Sequence, residues 1–234
     1  MLLKLKNYLE FIQFKHTVFA LPFALSAYAL ISKKIGFNFM DLFLVIVALV
    51  SARVFGMSIN RIIDVNIDKK NPRTKNRGLI IGSITMRGAF FIIVMSLIIF
   101  YSTLVYFHNL ALFLSPIVFI LFTIYPLTKR FTYLCHYFLG LIYLVAPPAV
   151  EIALTGKFSL ETFILGAAGF FWVSGFDLIY AILDIDFDLK NKIYSIPSKF
   201  GIRTTKILSS ISHTFTLILI FLIGIISNLN QIYW

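Results

Sequence analysis

The chain has 234 residues, of which 59% are hydrophobic, 17% aromatic and only 13% charged, and its formal net charge is +11. Soluble domains carry about 25% charged residues, so this composition excludes a disordered chain, a disulfide scaffold and an ordinary soluble enzyme, and Cys135 has no second cysteine to pair with. The Lys and Arg residues are divided among short segments between apolar runs rather than gathered into one patch, which argues for a lipid bilayer as partner and against nucleic acid.

In chain order, apolar windows fall near 16–36, 39–59, 88–107, 110–128, 132–155, 160–183 and 206–227. A helix that crosses a bilayer needs about 20 such residues. The expectation is an all-α, polytopic transmembrane helical bundle of about seven spans, forming a single domain over residues 1–234. The first window is too long for a removable signal peptide, contains Pro22 and lacks a small-residue cleavage pattern. Alternating the loops across the membrane puts seventeen basic residues on the side of the N-terminus: Lys4, Lys6 and Lys15, those from Arg61 to Arg87, Lys129 and Arg130, and those from Lys190 to Lys206. The other side holds only Lys33, Lys34 and Lys157, and Arg53 lies inside the second window. The positive-inside rule therefore predicts a cytoplasmic N-terminus. Richness in Lys, Ile, Phe and Asn points to an AT-rich bacterial genome, hence to a plasma or inner membrane.

Six of the ten acidic residues lie in two short segments, Asn60 to Asp68 and Asp177 to Asp188, at the ends of the second and sixth windows. Four crossings separate them, so both return to the same membrane side. Asn60, Asp64 and Asp68 are successive i,i+4 neighbours, and Asp177, Tyr180, Asp184 and Asp188 step by 3, 4 and 4. Each set is expected on one helix face, with Asp186 turned toward water. Acids near a bilayer are costly and mark function. Two facing carboxylate stripes repel unless a cation lies between them, and clustered hard oxygens suit Mg²⁺ completed by substrate phosphates. A basic stretch follows each set, with Arg73 and Arg77 after the first and Lys199 after the second. Arginine binds phosphate oxygens bidentately.

These residues resemble the UbiA superfamily of intramembrane aromatic prenyltransferases. The NxxxDxxxD motif of that family is matched by Asn60, Asp64 and Asp68, and its DxxYAxxDxxxD motif by Asp177, Tyr180, Ala181, Asp184 and Asp188. The stretch from Asn71 to Arg77 is similar to its PRTxxRP segment, with Gly78 in place of the last proline. Tyr125 and Lys129 match a YxxxK element, and Ser195, Pro197, Phe200 and Gly201 match SxPxxFG, preceded by Lys192 where many relatives have glycine. The opening Phe14 to Phe23 resembles members that act on 4-hydroxybenzoate or in menaquinone synthesis. Members usually have nine spans, so the seven windows imply that the last two helices are missing.

The resemblance implies Mg²⁺-dependent transfer of a polyprenyl group from polyprenyl diphosphate to an aromatic acid acceptor, at a site on the cytoplasmic side. It implies Asp64, Asp68, Asp177, Asp184 and Asp188 as metal ligands, and Arg73, Arg77, Tyr125, Lys129 and Lys199 as diphosphate ligands. Asn60 is expected to orient the acceptor or the first-motif carboxylates. Tyr180 either hydrogen-bonds a substrate or is an interface tyrosine. Arg53 either contacts an acceptor carboxylate or pairs with an acid on another helix. His16, His108, His136 and His213 have no metal-site spacing, and Gly166 to Gly169 are expected to let the sixth window pack closely. A 4-hydroxybenzoate-type acceptor is favoured over a dihydroxynaphthoate. The rivals are a transporter, which predicts acids at mid-membrane, a phosphatidyltransferase, whose glycine after the first aspartate pair is missing, and an inactive truncated relative.

Overall fold

The computed structural model describes residues 2–13 and 19–231, so Phe14, Lys15, His16, Thr17 and Val18 of the opening segment lie outside the described residues. The described chain is helical throughout: α1 (Leu2–Phe11), α2 (Leu21–Ile35), α3 (Phe39–Ile63), α4 (Val65–Asp68), α5 (Met86–Leu104), α6 (Asn109–Thr128), α7 (Cys135–Thr155), α8 (Leu160–Ala181), α9 (Ile185–Asn191) and α10 (Ile196–Ile226). Six stretches among these are long and apolar enough to cross a membrane: α3, α5, α6, α7, residues 160–191 and α10. The first sequence window holds α2, whose 15 residues rise about 22 Å against an apolar layer about 30 Å thick. Six helices of spanning length, rather than seven, are therefore present among the described residues.

Polar side chains set where these helices begin. Asn38 accepts from Met40 N at 2.8 Å at the start of α3, and Thr85 accepts from Gly88 N at 3.1 Å at the start of α5. Before α10, Ser195 and Ser198 form a reciprocal capping box with Pro197 in the first turn. Glu151, only 5% exposed, accepts from Ser159 N at 2.9 Å, from Ser159 Oγ at 2.7 Å and from Thr162 Oγ1. A carboxylate at a helix N-terminus is stabilised by the exposed amides and the macrodipole, so this cluster fastens the turn between α7 and α8.

The spanning helices pack as a bundle. α8 lies between α7 and α10, α3 lies against α5 and α6, α6 packs against α7, and α2 bridges α7, α3 and α8. Without a hydrophobic drive between helices in lipid, close approach rests on small residues and interhelical hydrogen bonds. Ala168 is fully buried, Ser209 Oγ donates to Gly175 O at 2.8 Å, and a Cβ on Gly166 would stand 2.2 Å from the Leu144 carbonyl oxygen. Gly166 to Gly169 thus let α8 pack closely, as expected. α10 bends at Gly201, whose φ of 78° and ψ of 171° belong to a region open essentially to glycine.

The two acid-bearing segments are broken helices rather than continuous faces. α3 stops at Ile63, Asp64 takes φ −93° and ψ 2°, and the single turn α4 follows. α8 stops at Ala181, a 3-10 turn covers Ile182–Asp184, Asp184 takes φ −107° and ψ 6°, and α9 follows. The middle aspartate of each motif therefore occupies the same sparsely allowed bridge conformation, one that recurs at active sites. The four-residue spacing holds locally, and each break turns the last aspartate of the motif inward.

Replacing Gly166 with Val is expected to push α7 and α8 apart and to cost about 1–3 kcal/mol of stability. Thermal unfolding in detergent measures it, and an unchanged midpoint would contradict the close approach.

Candidate active site

The breaks in α3 and α8 open on a cavity of about 360 Å³. Asn60, Asp64, Asp68, Asp177, Asp184 and Asp188 line it, with Arg53, Arg73, Arg77, Tyr125, Lys129 and Tyr180. Five carboxylates at one place require counter-charge, and three basic side chains provide it by direct ion pairs. Lys129 Nζ stands 2.6 Å from Asp64 Oδ2, Arg77 pairs with Asp68, and Arg73 pairs with Asp184. The Arg73 contact is a fork: Nε donates to Asp184 Oδ1 at 3.0 Å while Nη2 donates to Oδ2. Arg73 Nη1 also donates to Tyr180 OH at 3.1 Å, with the guanidinium carbon 4.9 Å from the ring centroid.

The segment after α4 binds the two motifs together. Asn71 Nδ2 donates to Asp184 Oδ1 at 2.9 Å beside Arg73, while Thr74 Oγ1 donates to Asp68 O at 2.9 Å. A loop that begins at the first motif thus holds the middle aspartate of the second. The remaining carboxylates are held by neutral or titratable neighbours. Ser195 Oγ, besides capping α10, donates to Asp188 Oδ2 at 2.7 Å, and His136 Nδ1 lies 2.7 Å from Asp177 Oδ2. Asn60 Nδ2 points at Asp64 Oδ2 from 3.4 Å, a long contact.

Asp64 is the most enclosed of these acids, 1% exposed. Burial pushes its carboxyl above the ordinary carboxylate range, against the opposing pull of Lys129. Its Oδ1 is buried without a hydrogen-bond partner, and Arg130 Nη2 stands 3.8 Å away while donating to Ile63 O at 2.7 Å. No three acidic, histidine or cysteine side chains form a ready metal cluster among the described residues. Mg²⁺ does not need one, because it is usually bound by one or two carboxylates plus substrate phosphates. A buried carboxylate oxygen without a hydrogen bond, with further carboxylates on the same wall, fits an ion completed that way.

Away from the charged residues the cavity turns apolar. Arg53, Phe122, Ile142 and Tyr143 line both it and a second chamber of about 290 Å³ walled by side chains such as Leu49, Phe100 and Val118. Arg53 Nε is buried there without a hydrogen-bond partner. Of the two readings left open for Arg53, pairing with an acid on another helix is not what the described residues show, since no ion pair involves it.

One expectation needs correction. Lys199 does not reach the cavity: its Nζ sits 4.5 Å from the centroid of the Tyr133 ring, where a cation–π contact holds it. Asp177 lines the cavity as expected, with one carboxylate oxygen beside His136, a histidine set aside because its spacing matched no metal site. Sequence reasoning also missed Asn71 and Ser195 as partners of motif aspartates. Nothing in their spacing signals contacts to Asp184 113 residues away or to Asp188 seven residues back. Tyr180, for which both roles were open, is a partner of Arg73.

Replacing Lys129 with Met strands the buried Asp64 carboxylate, and removing one partner of a buried pair costs about 3–5 kcal/mol. Lys129→Met is thus expected to unfold at lower temperature, with most of the loss recovered in Lys129→Met/Asp64→Asn. Equal stability of single and double variants would show that the pair does not carry this charge.

Similarity to known proteins follows the same residues. A sequence model of the UbiA prenyltransferase family matches residues 20–234. The chain is 34% identical over 160 residues to the 4-hydroxybenzoate octaprenyltransferase of Shewanella sp. strain ANA-3, over 68% of this chain and 56% of that protein. The corresponding protein of Shewanella woodyi is 35% identical over 156 residues, 67% of this chain and 54% of that one. The aligned region therefore spans little more than half the length of these relatives. The apo structure of a UbiA homolog from Aeropyrum pernix K1 superposes with a TM-score of 0.86 at 32% identity, covering 94% of this chain and 82% of the other. A UbiA homolog from Archaeoglobus fulgidus bound to GPP and Mg²⁺ shares the fold, with a TM-score of 0.71 at 19% identity over 95% of this chain and 82% of that one. Because the family match takes in every helix that walls the cavity, the chain belongs to the UbiA prenyltransferase family.

Proposed function

We propose that the protein transfers the polyprenyl group of a polyprenyl diphosphate to the ring of a small aromatic acid of the 4-hydroxybenzoate type, in quinone synthesis, with Mg²⁺. The carrying observation is one cavity whose charged end joins carboxylates to Lys129, Arg73 and Arg77 and whose other end opens into an apolar chamber. That polarity matches a substrate with a diphosphate head and an isoprenoid tail. The relatives named above act on 4-hydroxybenzoate, and the Archaeoglobus protein of the same fold was solved with a prenyl diphosphate and Mg²⁺. A transporter predicts charge at mid-membrane, whereas these acids crowd the ends of α3 and α8.

Asp64, Asp68, Asp184 and Asp188 are the residues that would hold Mg²⁺, with Asp177 kept in place by His136. When bound, Mg²⁺ neutralises charge that gathers on the leaving diphosphate as the allylic C1–O bond breaks. Lys129, Arg73, Arg77 and the Tyr125 hydroxyl supply donors to the diphosphate oxygens. Tyr180 and Asn71 keep Arg73 aimed at that position. Phe122, Trp172 and Phe176 on the cavity wall keep water from the developing allylic cation and offer it ring faces. Arg53, beside Tyr143 and without an acidic partner among the described residues, stands between the charged end and the apolar chamber and reads the acceptor carboxylate, and Asn60 orients the acceptor beside Asp64. The basic loops that flank the site support a location on the cytoplasmic side of the membrane.

Purified protein in nanodiscs, given a polyprenyl diphosphate with 4-hydroxybenzoate or a dihydroxynaphthoate, is expected to form prenylated product only with Mg²⁺. Asp64→Ala and Asp184→Ala are expected to lower turnover at least 100-fold. Arg53→Met is expected to raise the acceptor KM by about 10- to 100-fold, the value of a charge-assisted hydrogen bond, with the prenyl diphosphate KM unchanged. No product with either acceptor from folded protein overturns the reading, and product from the dihydroxynaphthoate alone replaces the acceptor.

A further inference from the structure

A second polar cavity, of about 390 Å³, adjoins the charged end of the site. It lies between α1 and the segment that follows α4, with Asn7, Asn76 and Ser83 in its walls and Glu10 as its own acid. Arg61, Asp68, Arg73, Arg77 and Tyr180 line both cavities, so the charged residues form the partition between them. Shared walls order the spaces: the reaction cavity has Arg53, Phe122, Ile142 and Tyr143 in common with the apolar chamber, and the outer chamber has no wall residue in common with the apolar one. The outer chamber thus lies at the other end of the diphosphate position from the isoprenoid tail. Asn76 and Ser83 in its walls are exposed.

Within the partition one cation has no direct ion pair. Arg73, Arg77 and Lys129 each pair with a motif aspartate. Arg61 is only 6% exposed, stands among Arg77, Asp68, Asp64 and Arg73, and makes no hydrogen bond or ion pair among the described residues. Asp68 and Asp64 attract this guanidinium while Arg77 and Arg73 repel it, and an anion in the chamber it lines would give it the direct hydrogen bonds it lacks.

Resting on the prenyl diphosphate reading, we propose that the outer chamber is a binding site for inorganic diphosphate, the freed leaving group, with Arg61 as its principal ligand. The anion then departs toward water without crossing the apolar chamber. The polar walls suit the phosphoryl group shared by diphosphate and lipid headgroups, and the exposed rim favours the soluble anion.

The test uses the full chain in nanodiscs with a prenyl thiolodiphosphate saturating the reaction cavity, followed by equilibrium binding of radiolabelled diphosphate. One further diphosphate per chain is expected. Its affinity should fall at least tenfold in Asn76→Asp and in Ser83→Asp, while thiolodiphosphate affinity stays unchanged. No further diphosphate, or binding indifferent to both substitutions, overturns the proposal. Binding in zwitterionic nanodiscs that disappears when phosphatidylglycerol is included assigns the chamber to a lipid headgroup and overturns it as well. Failure of the thiolodiphosphate to bind folded protein contradicts the prenyl diphosphate reading itself and removes this inference with it.

Discussion

Everything at the charged end of this bundle depends on pairing carboxylates with donors where water is scarce. An isolated buried carboxylate costs several kcal/mol even after relaxation, and here five line one cavity. The chain answers with pairs that cross the fold: Lys129 at the end of α6 reaches Asp64 at the end of α3, and Arg73 in the loop after α4 reaches Asp184 at the end of α8. The first pair closes the ends of two helices already packed through Phe55 and Phe119, and the second ties a loop to a helix. The geometry of the site and the registration of its helices are therefore one electrostatic problem, and the same cations stand ready for an anionic substrate.

Broken helices make that arrangement possible. A straight helix through Asn60, Asp64 and Asp68 would carry its last carboxylate upward along the axis. Stopping α3 at Ile63 and α8 at Ala181, each with its middle aspartate in the bridge conformation, turns the chain so that Asp68 and Asp188 are buried against the cavity instead. The shared backbone state at Asp64 and Asp184 gives structural content to the repeated plan of helix, acid and basic loop in the two halves. Serine and asparagine complete the work at low cost, Ser195 capping α10 and holding Asp188 with one hydroxyl.

Much of this was legible in the amino-acid sequence because apolar length and residue spacing are local properties. Six of the seven apolar windows hold helices of spanning length, and the segregation of basic loops, the two acidic segments and the basic stretch from Arg73 to Arg77 follow from counting along the chain; the lining of one cavity by Asn60, Asp64, Tyr125, Lys129 and Asp184 agrees with it. Composition decided that the protein belongs in a bilayer. Tertiary structure alone decided which cation meets which acid, because a contact such as Asn71 with Asp184 leaves no periodicity to detect. It also withdrew Lys199 to the Tyr133 ring, brought His136 to Asp177 and left Arg53 and Arg61 without a direct ion pair among the described residues. Spacing reports which face of a helix a side chain takes. What stands opposite that face is settled by how helices pack, and packing in a membrane turns on small residues and buried charge spread across the whole chain.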